Sequence, residues 1–315
     1  MFFCTLDVFT DKLFGGNQLA VFPDARGLDA EQMHIIAREF NLSETVFVLP
    51  PEDSAHTRRL RIFTPAGELP FAGHPTIGAA HALAALGHIP LTGDETHVVF
   101  EEGVGPIPVK IRSRGGAPVF AELSVAKLPE TGAQPPSRNV LADLLSIEVA
   151  DLTGGTWSPQ SVSCGVPFLF IPVRDRNVLK RARVRPDKWE ATLKNAWAPE
   201  VFVFSRDPER EGSNIRARMF APGLGIGEDA ATGSACAALG GYLAARDPIK
   251  EGTLRWVVEQ GFEMGRPSIL EVEADKSDGR ITAIRVGGAS VMVSSGEMQV
   301  GSQTADAARE TSAVR

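Results

Sequence analysis

A phrase stated twice, half a chain apart, constrains this 315-residue sequence more than any other feature. Arg61-Ile62-Phe63-Thr64-Pro65 leads through Phe71-Ala72-Gly73-His74-Pro75 into the small-residue run from Ile77 to Leu86. Arg218-Met219-Phe220-Ala221-Pro222 leads through Asp229-Ala230-Ala231-Thr232-Gly233-Ser234 into a similar run from Ala235 to Ala244. The Arg-x-Phe-x-Pro phrases are offset by 157 residues (218 − 61) and the following glycines by 160 (233 − 73). Two related halves are the simplest reading. Each phrase describes a strand ending at a Pro turn, then a Gly-marked helix start with free backbone N–H groups at its tip. Two such tips facing one another make an anion pocket.

The chain is long enough for two domains, and 43% hydrophobic content supplies two cores without staples. Cys4, Cys164 and Cys236 share no short spacing, so they read as buried free thiols instead of a disulfide framework or metal knuckle. A net charge of −7 with no basic block argues against nucleic acid and against an anionic membrane surface. The N-terminus has no basic n-region and no run reaches a membrane span, so a cytoplasmic protein is expected. From Gly301 onward the sequence is polar with no apolar period, which predicts a disordered tail over 301–315.

Short β-branched or aromatic runs separated by Gly, Pro and Asp predict a strand-rich chain, from Phe2 to Val8 through to Val291 to Val293. Asp29 to Phe40 reads as a surface helix, with Asp29 as cap, Gln32 at the capping-box position and Met33, Ile36, Ala37 and Phe40 as its apolar stripe. A weaker helix is expected near Trp189 to Asn195. Ile77 to Leu86 and Ala235 to Ala245 are apolar nearly all round and must be enclosed. The prediction is a curved sheet wrapped round a central helix, twice, joined through the Pro/Gly/Ser-rich stretch Pro129 to Ser137. Residues 1–125 with about 288–300 are expected to form a first domain carrying Glu44 and His74. Residues 126–287 are expected to form a second carrying Asp229 and Ser234.

Taken alone, Glu44 reads as a solvated carboxylate where the capped helix meets a strand. His74 precedes Pro75, which fits the first helical position, so His74 reads as an N-cap that can also donate to a ligand in its neutral form. Asp229 and Ser234 read as capping residues at the second tip. A Ser234–His74–Asp229 hydrolase triad has the wrong context, because no Gly-x-Ser-x-Gly elbow is present. The histidines show no paired-ligand spacing, so no metal is expected, and Asp11 to Gln18 follows no GxGxxG pattern.

Gly15-Gly16-Asn17-Gln18-Leu19-Ala20-Val21, Asn41-Leu42-Ser43-Glu44-Thr45, Phe71 to Thr76 and Asp229 to Ser234 occur in that order, and the chain resembles the PhzF family of phenazine-biosynthesis-like isomerases. The resemblance implies the α+β, diaminopimelate-epimerase-like fold: two pseudo-symmetric domains, each a mostly antiparallel sheet around a central helix, with the site between them. The epimerases of that wider fold carry a cysteine at each helix tip; the matching positions are read here as Ala72 and Ala231, and Cys236 as packing. The PhzF-type roles fall on Glu44 as proton carrier, assisted by His74, Asp229 and Ser234. Gly73, Gly233, Thr232 and Asn17 are expected to contact a small carboxylate substrate. No cofactor is required, because a partly buried carboxyl can both take and return a proton. The expected activity is a cofactor-independent isomerisation similar to that of trans-2,3-dihydro-3-hydroxyanthranilate isomerase, and family members are often homodimers. The alternatives are a non-catalytic anion-binding protein and an epimerase or racemase of an amino-acid-like substrate.

Overall fold

Period-2 burial runs through both halves of the chain, and it builds one continuous hydrogen-bonded sheet in the computed structural model, which describes residues 1–300. The tail expected over 301–315 lies outside the described residues. The first half contains β1 (Phe2–Val8), β2 (Asn17–Phe22), α1 (Ala30–Phe40), β3 (Glu44–Leu49), β4 (Arg58–Thr64), β5 (Gly67–Leu69), α2 (Gly73–Ala85), β6 (Glu95–Glu102), β7 (Gly105–Arg114) and β8 (Ala117–Ser124). The second contains β9 (Glu130–Thr131), α3 (Arg138–Leu145), β10 (Gln160–Ser163), β11 (Pro167–Pro172), α4 (Arg176–Arg181), α5 (Pro186–Thr192), β12 (Glu200–Ser205) and β13 (Ile215–Ala221). It continues with β14 (Ile226–Asp229), α6 (Gly233–Ala244), β15 (Gly252–Gln260), β16 (Ser268–Ser277) and β17 (Arg280–Gly288), and β18 (Ser290–Glu297) closes the order.

The repeated phrase is a repeated ladder. Parallel β2–β3 pairs Leu19 with Glu44, and parallel β11–β12 pairs Phe168 with Glu200. Antiparallel β3–β4 pairs Thr45 with Phe63, and β12–β13 pairs Val201 with Phe220. Parallel β4–β6 pairs Arg59 with Glu101, and β13–β15 pairs Arg216 with Glu259. The halves join where β17 runs antiparallel to β8, and β18 returns to pair with β1.

Both central helices are enclosed for the reason their composition gives: Ala and Gly leave them thin. Every residue of α2 from Gly73 to Ala84 is buried, and in α6 the half-buried Ser234 is followed by an unbroken buried run to Ala244. One apolar core runs through both, with Ile77, Leu83, Leu239 and Tyr242 among its members. The outer faces carry two smaller cores. Phe22, Phe47 and Phe63 receive Met33, Ile36 and Ala37 of α1, and β11 to β13 receive α3, α4 and α5. The Asp29 side chain accepts from the Gln32 amide at 2.8 Å, Gln32 Oε1 accepts from the Asp29 amide at 3.0 Å, and Asn41 ends α1 in the left-handed conformation.

Two expectations need correction. The helix expected near Trp189 to Asn195 starts earlier and stops at Thr192. Pro75 is the third helical residue of α2 and Ala72 its N-cap, so neither Pro75 nor His74 holds the position assigned from the His-Pro pair. Among the described residues no helix is long and apolar enough to cross a membrane.

Candidate active site

Glycine is what lets the two helix tips meet. A Cβ on Gly73 would lie 2.8 Å from the Ser234 backbone N and 2.9 Å from Gly233 Cα, and a Cβ on Gly233 would lie 3.2 Å from Gly73 Cα and from the Phe9 ring. Two helix N-termini therefore converge with their unpaired amides and positive dipole ends at one place. Neither tip has a side-chain cap: the N-cap residues are Ala72 and Thr232. Thr232 thus stands in α6 where Ala72 stands in α2. The lack of a side-chain cap removes capping as the role of Asp229 and Ser234. All three cysteines are buried and unpaired among the described residues, and burial pushes the Cys236 thiol far up.

Around the junction the structure gathers Glu44, His74, Asp229 and Asn17. Glu44 opens β3 and is 8% exposed, not solvated as its position at a strand entrance suggested. Its Oε2 has no hydrogen-bond partner among the described residues and stands 3.3 Å from His74 Nε2, close without hydrogen-bond geometry. Burial first, and the negative charge of Asp229 second, push the Glu44 carboxyl well above the usual range. Burial pulls His74 down to about 3, so its ring is neutral at physiological pH. Burial raises Asp229 to about 6, against the opposing hydrogen bonds from Thr232 and Asn17. Two neighbouring carboxyls in one buried site titrate as a pair, and burial favours the neutral form of each.

Asn17 ties the halves together. Its Nδ2 donates to Asp229 Oδ1 at 2.8 Å and to the Ala231 carbonyl at 2.9 Å, and faces His74 Nδ1 at 3.3 Å. The two amide protons go to the two closer acceptors, Asp229 Oδ1 and the Ala231 carbonyl, and His74 Nδ1 packs against the same nitrogen. The loop before it needs Gly16, whose φ of 61° would drive a Cβ to within 2.3 Å of the Val8 carbonyl oxygen. Arg266 of the second half clamps that loop, donating to Gly16 O at 2.8 Å and Gly15 O at 2.6 Å while pairing with Asp7.

Thr232 donates to Asp229 Oδ2 at 2.5 Å, and Gln260 holds the turn from below, accepting from the Thr232 amide at 3.2 Å and donating to Asp229 O at 2.9 Å. Sequence reasoning missed Gln260 and Arg266, which reach the site from β15 and from the turn before β16. Ser234 is half-buried at the second position of α6, and among the described residues no hydrogen bond joins it to His74 or Asp229, so no triad forms. Two open surface cavities, one framed by Arg59 and Arg61 and one by Phe9 and Phe262, are lined by none of Glu44, His74, Asp229 and Ser234. Among the described residues no cluster of His, Cys, Asp and Glu is arranged to hold a metal ion.

The comparisons with known proteins agree with this architecture. The family model described as phenazine biosynthesis-like protein matches residues 6–296. The chain belongs to the PhzF family. It is 40% identical to the uncharacterized isomerase mll1393 of Mesorhizobium japonicum, over 93% of this chain and 96% of the relative. It is 33% identical to the trans-2,3-dihydro-3-hydroxyanthranilate isomerase of Pseudomonas aeruginosa, over 91% of this chain and 95% of that enzyme. The crystal structure of a Bacillus anthracis PhzF-family protein superposes with a TM-score of 0.86 at 25% identity, covering 95% of this chain and 99% of the other. The fold is the diaminopimelate-epimerase-like α+β fold of the family, and the PhzF chain described here is an isomerase.

Proposed function

We propose that the protein is a cofactor-independent isomerase that moves a proton between two carbons of a small carboxylate, with Glu44 as base and then acid. One observation carries this reading: a buried carboxylate oxygen without a hydrogen-bond partner among the described residues, set beside a neutral imidazole where two helix tips meet. Glu44 takes a proton from one carbon, the electron pair spreads into the adjoining unsaturated carboxylate system, and Glu44, after its carboxyl proton exchanges with solvent, delivers a proton to a different carbon. Charge is conserved without a co-reactant. The backbone amides at Gly73 and Gly233 hold the substrate carboxylate, Asn17 and Thr232 line the same pocket through their hydrogen bonds to Asp229, and the His74 ring stands beside Glu44 where negative charge develops. Asp229 and Ser234 complete the polar wall from the second half. A carboxyl raised toward neutrality suits both steps, since it neither holds its proton too tightly nor releases it too readily. With Glu44, His74 and Asp229 all buried, substrate entry requires the halves to part.

The probe is trans-2,3-dihydro-3-hydroxyanthranilate in deuterated water, the substrate named for the Pseudomonas aeruginosa relative. Wild-type protein is expected to introduce solvent deuterium at carbon, and Glu44→Gln to lose this by about 10²–10⁴-fold while keeping its fold. Undiminished exchange in the variant removes Glu44 from the reaction. A protein that only binds anions leaves carbon-bound hydrogen untouched.

A further inference from the structure

Beneath the first helix tip lies a carboxyl that the proposed reaction does not use. Glu102 ends β6 and is buried. Its Oε1 stands 2.6 Å from Thr76 Oγ1, and the same hydroxyl stands 2.7 Å from the Ala72 carbonyl oxygen. A threonine hydroxyl has one proton, and a backbone carbonyl can only accept. Thr76 therefore donates to Ala72, and the short contact to Glu102 is satisfied only when Glu102 brings a proton of its own.

The other half supplies a control. The pairs Arg59–Glu101 and Arg216–Glu259 make Glu101 and Glu259 equivalent, so the next residues, Glu102 and Gln260, are equivalent too. Gln260, a neutral group with a donor and an acceptor, holds the turn before α6 through Thr232 and Asp229. A protonated glutamic acid also has one donor and one acceptor; a glutamate has none to give. Basic side chains that could reach a glutamate from the cavity side are engaged elsewhere: His56 with Glu101, Arg59 with Glu52 and Arg61 with Glu68. From α2 only Thr76 and the Ala72 backbone face it, and Gly103 packs on Pro70 at the following turn.

We propose that Glu102 is a neutral carboxylic acid in the resting protein and a positioning residue, fixing the Ala72–Thr76 turn and through it Gly73 and His74. Burial, opposed by the Thr76 hydroxyl and the Ala72 backbone, pushes it up to about 8 from an ordinary 4.5. A folded-state pKa above the unfolded one contributes stability that is complete below about pH 4.5 and is lost as pH rises through about 8. Ionisation also turns the Thr76 contact into one between two acceptors, which loosens the turn.

The test compares wild type, Glu102→Gln and Glu102→Ala by thermal unfolding from pH 5 to pH 9, and by kcat for deuterium incorporation into trans-2,3-dihydro-3-hydroxyanthranilate over the same range. Glu102→Gln is expected to match wild type in Tm at pH 5 and exceed it by several degrees at pH 9. In kinetics, Glu102→Ala is expected to lower kcat several-fold and Glu102→Gln to restore it, without the alkaline fall that wild type shows near pH 8. The kinetic arm rests on the isomerase reading above; the thermal arm does not, so a probe that wild type fails to turn over leaves the thermal arm to decide. Parallel Tm-against-pH curves for wild type and Glu102→Gln overturn the neutral acid. A Glu102→Gln protein as slow as Glu102→Ala overturns the positioning role.

Discussion

The two halves share a scaffold and divide the chemistry. Arg61 makes a two-pronged pair with Glu68 and Arg218 makes the same pair with Glu228. Glu101 accepts the amides of Glu52 and Asp53, and Glu259 accepts those of Glu209 and Arg210, a repeat of 157 residues (209 − 52). At the helix tips the correspondence stops. The ladder places Leu69 opposite Ile62 where Asp229 stands opposite Met219, and the offset of 160 matches Ala72 with Thr232 and His74 with Ser234. Backbone pairing that builds the sheet is preserved, whereas the side chains that face the junction have diverged. At the tips neither half repeats the other's polar groups, so the junction is chemically one-sided: the Glu44 carboxyl and the His74 ring come from the first, the Thr232 and Ser234 hydroxyls and the Asp229 carboxyl from the second.

Glu44 and Glu200 give the hardest test of that division, because the parallel ladders make them equivalents. Both are buried with an unpartnered Oε2 among the described residues, and burial alone pushes Glu200 up to about 7. Glu200 Oε1, however, lies 3.0 Å from where a Cβ on Gly223 would sit, beside the Trp189 ring, and not beside a histidine. Glu200→Gln is expected to keep deuterium exchange within about twofold of wild type, against the about 10²–10⁴-fold loss for Glu44→Gln. Comparable losses in both variants would mean that the site uses two bases, as an epimerase does.

The paired arginines separate by burial. Arg218 is 3% exposed at its side chain and adds bonds to the Leu179 and Ala182 carbonyls, whereas Arg61 is 19% exposed and rests on the Phe63 ring. Arg218→Ala strands a partly buried Glu228 and two carbonyls, and is expected to cost about 3–5 kcal/mol in urea unfolding. Arg61→Ala leaves groups that water can reach, at roughly 1 kcal/mol or less. Equal midpoints would show that the second phrase is no more tightly built than the first.

How much of this was legible follows the range of the interactions. The Arg-x-Phe-x-Pro repeat, the capped helix at Asp29 and the two all-apolar helices are written in local spacing, and the structure contains them. Helices α3 and α4 carry local signals that went unread, Ser137 and Asp175 as N-caps. Burial of Glu44 was not legible, because the groups that stand against it, His74 and Asp229, lie 30 (74 − 44) and 185 (229 − 44) residues further along the chain. Gln260 and Arg266 act on residues from 28 to more than 250 positions away, so no motif window contains both partners. Glu102 shows the same limit: its value lies in what Thr76 and Gln260 are, which the run Phe100-Glu101-Glu102-Gly103 does not reveal.

The smallest expected effect lies at the contact between the halves. Alanine at Gly73 would press its Cβ on Gly233 Cα and the Ser234 backbone N at 2.8 to 2.9 Å, where only backbone can yield. Forcing a methyl into packed backbone typically costs about 1–3 kcal/mol, and alanine recovers up to about 1 kcal/mol of that through helix propensity. Alanine at Gly233 meets its neighbours at 3.2 Å, one of them the rim of Phe9, so its smaller clash and the same propensity gain nearly cancel. Gly73→Ala is therefore expected to unfold at lower urea than wild type and Gly233→Ala close to it. Because both methyls also push the tips apart, exchange activity should fall in each variant, further for Gly73→Ala. The reverse order would show that the tips bear on one another through Phe9 and not through the glycine pair, and the junction would then belong to the second half alone.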